Sequence, residues 1–123
     1  MAVATAGVVE VRVAAPNELD QLIDELENIV AAERPFALLV EGPPNLDAWQ
    51  RLLWGSPQAR RRLRRLRPAL GTWCVGSAHV VAEGREALTR AALRPAELAW
   101  GCTAAAFADR GQARHWLDAR MAA

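Results

Sequence analysis

The chain has 123 residues, 52% hydrophobic and 24% charged, with a formal net charge of +1. That describes one globular domain, residues 1–123, long enough to bury roughly two-thirds of the surface its unfolded chain exposes. A near-neutral total argues against a chain-wide polyanion binder, and no window approaches the roughly 20 apolar residues of a membrane span.

The charge is unevenly distributed. Residues 1–50 carry nine acids and two Arg, net −7, whereas residues 51–123 carry thirteen Arg and five acids, net +8. All 15 basic residues are Arg, the signature of a G+C-rich coding sequence. The start, MAVATAGVVEV, has no basic region and no long apolar run, so no secretory signal is expected. Two Cys without an export signal predict reduced thiols and a cytoplasmic location.

Taken in chain order, Val8 to Ala15 alternates with β-branched residues and predicts a strand, with residues 2–6 as an antiparallel neighbour. Pro16 opens a helix whose apolar positions, Leu19, Leu22, Ile23, Leu26, Ile29 and Val30, form one stripe. Asp20, Asp24, Glu25 and Glu27 fall mostly off that stripe, and Pro35 ends the element. The run FALLVE from Phe36 predicts a strand covered on both faces. Asn45 is an N-cap for a helix with Leu46, Trp49, Leu52 and Leu53 inward. Ser56 and Pro57 restart a helix after the break at Gly55.

From Pro57 onward, Ala59, Leu63 and Leu66 make a core stripe, and Arg60, Arg61, Arg62, Arg64, Arg65 and Arg67 fill the remaining arc. That arc is read as the solvated face of a helix. Ala69 to Gly76 predicts a second buried strand, Ser77 to Leu93 a helix, and Arg94 to Thr103 a short strand. Asp109 and Gln112, in capping-box spacing, open a last helix with Ala113, Trp116, Leu117 and Met121 buried. The alternation predicts an α/β domain: a single-layer, mostly parallel sheet of four to five strands with four helices.

RPFALLVEG, the arginine-rich helix, ALGTWCVGS and AELAWGCTAAAFADRGQARHWL together resemble small bacterial STAS-like domains. These are fold relatives of the anti-sigma factor antagonists and are also likened to lipid-binding CRAL-TRIO domains. Phe107, Ala113, Trp116 and Leu117 carry the closest likeness, and the resemblance spans roughly residues 8 to 118. It implies a non-enzymatic regulatory or protein-interaction module; the alternative is a small-ligand or lipid-binding domain. Anti-sigma factor antagonists carry a phosphorylatable Ser or Thr after a central strand. The comparable turn here, Glu41 to Asp47, has no hydroxyl residue, which puts phosphorylation-driven partner switching in doubt.

In a parallel α/β sheet a site lies beyond the C-terminal ends of the strands. The candidates there are Glu41, Asn45, Ser77, His79 and Thr103. Trp54, Arg61, Arg62 and Arg65 are the candidate interaction surface, and the opposite charges of the two halves raise a homodimer. Cys74, His79, Cys102 and His115 lack the short paired spacing of a zinc site, so no metal is expected. No G-x-S-x-G, phosphate loop or dinucleotide fingerprint occurs, and neither an enzyme, a cofactor nor a specific nucleic acid is expected. Trp73 and Trp100 are expected inside strands, as core residues rather than stacking platforms.

Overall fold

The computed structural model describes residues 2–5, 7–12, 16–41, 57–84 and 101–123. It is an α/β fold around one five-stranded sheet. The elements are β1 (Ala2–Thr5), β2 (Val8–Arg12), α1 (Pro16–Ala31), β3 (Phe36–Glu41), α2 (Pro57–Trp73), β4 (Cys74–Val80), β5 (Ala104–Phe107) and α3 (Arg110–Ala122). The strands lie side by side in chain order, with β1 antiparallel to β2 and β2 to β5 mutually parallel. Residues 2–6 were the expected antiparallel neighbour, and β1 fills that place. Three helices are described; of the helix expected over Ser77 to Leu93, Ser77 to Val80 are strand and residues 81–84 are not helical, while residues 85–93, like residues 46–53 of the helix expected after Asn45, lie outside the described residues.

The period-2 pattern of the strands sorts side chains onto two faces. Val9, Val11, Phe36, Leu38 and Val40 join Leu22, Ile23 and Leu26 of α1 and Ala59, Leu63 and Leu70 of α2 in one core cluster. Val8, Ala37, Leu39 and Ala78 meet Ala113 and Leu117 of α3 on the other face. β3 is thus covered on both sides, which is why its sequence is an uninterrupted apolar run. The register between β3 and β4 shifts at Phe36/Ala37, where Cys74 and then Gly76 are the successive partners.

Helix α1 follows its apolar stripe. It ends where Ala32 and Glu33 donate to the carbonyls of Ile29 and Val30 and Glu33 turns left-handed at φ 52°. That is the C-terminal geometry glycine usually supplies. Helix α3 starts at the expected cap: the Asp109 carboxylate accepts from the Gly111 N–H at 3.0 Å.

Three boundaries differ from the sequence reading. Helix α2 does not stop at Pro68 but runs to Trp73. Leu70 is fully buried, continuing the spacing of Ala59, Leu63 and Leu66 by one more turn. That burial, worth roughly 1.5–3 kcal/mol, offsets much of the roughly 3 kcal/mol that an interior proline costs a helix. The Thr72 hydroxyl also donates to the Pro68 carbonyl at 2.9 Å. The second correction follows from the first. The strand expected at Ala69 to Gly76 begins only at Cys74 and extends to Val80, so Ser77 to Val80 are strand rather than the start of a helix. Trp73 therefore ends a helix and is not inside a strand. Third, the strand expected from Arg94 to Thr103 is found at Ala104–Phe107 instead: Gly101 to Thr103 precede it, with Cys102 at a bend, and residues 94–100 lie outside the described residues.

Candidate functional site

Among the described residues, helix α2 carries the most exposed charge chemistry. With Ala59, Leu63 and Leu70 inward, Arg61, Arg64 and Arg65 are exposed. Their i, i+3, i+4 spacing puts all three on one helix face. No acid interrupts the helix from Pro57 to Trp73. Arg62, expected on that solvated arc and on the interaction surface with Arg61 and Arg65, turns toward α1 instead. Its guanidinium donates to the Asp24 carboxylate and, at 3.0 Å, to Glu27. The bond to Asp24, followed by that to Glu27, pushes its pKa still higher than the ordinary arginine value. Arg62 fastens α2 to α1, and Arg61, Arg64 and Arg65 are left facing solvent.

The C-terminal ends of β2 and β3 carry a second set of charges, on the face that α3 covers. Arg12 stands opposite Glu41 in the register and donates to it at 3.0 Å. Arg110, the first residue of α3, donates to Glu41 and, at 2.7 Å, to Glu10. Arg114 reaches Glu10 at 3.5 Å and Asp118 at 3.1 Å. Partial burial would raise the Glu41 pKa, but the hydrogen bonds from Arg12 and Arg110 outweigh it and hold the carboxyl below its ordinary value. Glu41 is therefore an anchor for α3. Reasoning from sequence missed Glu10, Arg12, Arg110 and Arg114. The signal was available: Glu10 and Arg12 are the polar phase of VVEVR, and Arg110 directly follows a helix cap.

Ser77 and His79 lie on the opposite face, in register with Leu38 and Val40. They are 2% and 5% exposed. The Ser77 hydroxyl and His79 Nε2 are 3.3 Å apart. Burial pushes the His79 pKa down to about 4, so the imidazole is neutral at pH 7. Side chains two apart on one strand form such a pair readily, yet neither group is presented to solvent. Thr103 is exposed and precedes β5, at that strand's N-terminal end, where its carbonyl accepts from the Ser77 N–H at 2.8 Å. Glu41, Ser77, His79 and Thr103 thus do not converge on one cleft. The carboxylate is on one face of the sheet, the buried Ser–His pair is on the other, and Thr103 is at the wrong end of its strand. Asn45 and Trp54 lie outside the described residues. His115 is exposed on α3, apart from the buried Cys74, His79 and Cys102.

No helix among the described residues is long and apolar enough to cross a membrane. No family model matches the chain, and no curated protein or solved structure matches it significantly.

Proposed function

We propose that the chain is a non-enzymatic, STAS-like regulatory module of the bacterial cytoplasm. It acts by binding another protein through the Arg61, Arg64 and Arg65 face of α2. The observation that carries this reading is the division of labour on one helix. Arg62 is spent on holding α2 against α1, while three neighbouring guanidiniums face outward at i, i+3, i+4 spacing.

Like charges at that spacing destabilise a helix by roughly 0.2–0.5 kcal/mol per pair. An acidic partner removes that repulsion and gains charge-assisted hydrogen bonds. The partner is narrow. Asp20, Asp24 and Glu27 are exposed on α1, which packs beside α2, so a broad polyanion would meet carboxylates as well as guanidiniums. An acidic helix or strand fits the stripe alone. Because the segment from Glu41 to Asp47 has no hydroxyl residue, phosphorylation there is not part of the proposal.

The test is a photoreactive residue at position 65, activated in the native cell. The expected result is one dominant protein adduct with an acidic contact segment, lost in the Arg61→Glu/Arg64→Glu variant while the thermal stability of the fold is retained. An adduct indifferent to that charge reversal would overturn the assignment of the face. Turnover of a small molecule by the purified chain would overturn the non-enzymatic reading.

A further inference from the structure

Cys74 and Cys102 are the two cysteines of the chain, 28 positions apart in sequence, and the fold brings them together. Cys74 opens β4 and Cys102 lies two residues before β5. The strands are parallel with Ser77 opposite Ala104, so Cys102 falls beside the first residues of β4. Both are buried, at 6% and 7% exposed, in the core cluster between the sheet and helices α1 and α2. The Cys74 thiol interacts with that of Cys102 and also donates to the Gly76 carbonyl at 3.5 Å, and no disulfide joins the two cysteines.

A backbone contact fixes this arrangement. Gly101 is left-handed at φ +79°, and a Cβ placed on it would lie 3.2 Å from the Arg67 carbonyl and 3.4 Å from the Gly71 Cα. Only glycine allows that approach without strain. The approach seats residues 101 and 102 on the last turns of α2, just ahead of Cys74.

We propose that Cys74 and Cys102 are a redox modification site: they close to an intramolecular disulfide that staples the α2–β4 junction to the segment leading into β5. The oxidant is a low-molecular-weight disulfide such as oxidised glutathione. One protein thiolate attacks a sulfur of the oxidant and expels the first glutathione thiolate. The second protein thiolate attacks the protein sulfur of that mixed disulfide and expels the other. Two S–H bonds are lost and one S–S bond forms. The oxidant leaves as two thiols, carrying both protons and both electrons.

In the closed fold the neighbouring thiol and burial keep Cys74 protonated. Exchange therefore runs through local openings and is slow, unlike that of an exposed reactive cysteine. Closure ties down the end of the helix that carries Arg61, Arg64 and Arg65.

The test is equilibration of the full chain in glutathione redox buffers, native and in concentrated urea. By linkage, the factor by which the fold favours the disulfide equals the factor by which the disulfide stabilises the fold. A loop of this length predicts a native closure constant more than about 100-fold above that in urea. Mass spectrometry after alkylation should show the loss of two hydrogens with no added glutathione. Thermal melts of the oxidised chain should rise by about 10 °C. Cys74→Ser and Cys102→Ser should each abolish both signals. Three outcomes would overturn the site, all of them read on the unmutated chain: a native-to-urea ratio at or below one, a stable mixed disulfide at a single cysteine, or disulfide-linked dimers.

Discussion

His79 is a titratable group on an otherwise small-residue stretch of the sheet, flanked across the ladder by Val40 and Ala106. Its pKa falls from 6.5 to about 4 because burial penalises the imidazolium. The unfolded chain therefore binds a proton in a range where the folded chain does not. Stability is complete above about pH 6.5 and is lost as pH falls toward 4, by about 3 kcal/mol in all. Glu41 adds a separate loss at lower pH, once its depressed carboxyl is protonated and releases Arg12 and Arg110. Urea midpoints from pH 7 to pH 4.5 should fall for the native chain and stay nearly level for His79→Gln. A level profile in both would mean that the imidazole is hydrated or charged in the fold. Gly76 makes a second residue-scale case. A Cβ there would meet Arg120 Nε at 2.8 Å and the Trp116 ring at 3.1 Å. Arg120 is held on both sides: it donates to the Val75 carbonyl at 2.6 Å and stacks 4.9 Å over Trp116. Gly76→Ala should cost about 1–3 kcal/mol, the range for overpacking. In an Arg120→Ala background the same change should cost clearly less, so a double-mutant cycle measures the contact. Additive costs would place the strain elsewhere.

Helix α2 is where one element answers three questions at once. Leu63→Ala should destabilise by roughly 2–5 kcal/mol, as truncation of a buried leucine does. Arg61→Ala, on the exposed face, should stay within about 0.5 kcal/mol. Arg62→Ala falls between them, at about 1 kcal/mol, because it breaks a bridge to two carboxylates that are themselves well exposed. Urea melts of the three variants give the order, and Arg61 ranking above Arg62 would remove the inward assignment of Arg62. The same helix shows what was legible beforehand. Ala59, Leu63 and Leu66 announce its buried stripe and Leu70 continues it, but Ala69 to Gly76 reads as a strand. That reading argued for an end; burial of Leu70 decided otherwise. Ser77 to Val80 failed for a related reason. SAHVV is too short for its period to separate helix from strand, and only once α2 claims residues up to Trp73 must β4 begin at Cys74. The candidate site inherited that error, since Ser77 and His79 were placed beyond a strand that in fact contains them. Periodicity already separates Arg62 from Arg61: at about 100° per residue Arg62 flanks the buried stripe and Arg61 lies nearly opposite it, but only the packing of α1 gives Arg62 its partners Asp24 and Glu27.

Among the described residues, several of the opposite charges of the two halves meet within one chain. Arg62 meets Asp24 and Glu27, Arg110 meets Glu10 and Glu41, and Arg114 meets Glu10, each joining the basic half to the acidic half. A homodimer held by α1 of one copy against α2 of another would have to compete with the internal Arg62 bridge for Asp24 and Glu27. Among the described residues, Arg61, Arg64 and Arg65 form an exposed positive face open to an outside polyanion. If those three guanidiniums neutralise three phosphates, duplex DNA should bind with a log–log salt slope of about −2.7. Affinity should then fall roughly 40-fold between about 50 and 200 mM salt. Binding of that kind reads phosphates and carries no base information, so unrelated sequences should compete equally. The exposed carboxylates of α1 beside the same helix lower the affinity further, by like-charge repulsion of the backbone. Fluorescence anisotropy with two unrelated duplexes, across a salt series, measures the slope and the preference together. Arg61→Glu/Arg64→Glu should remove what binding there is at low salt. A complex that prefers one sequence and persists at about 200 mM would mean a base-reading surface, and the face on α2 would then belong to nucleic acid rather than to an acidic protein.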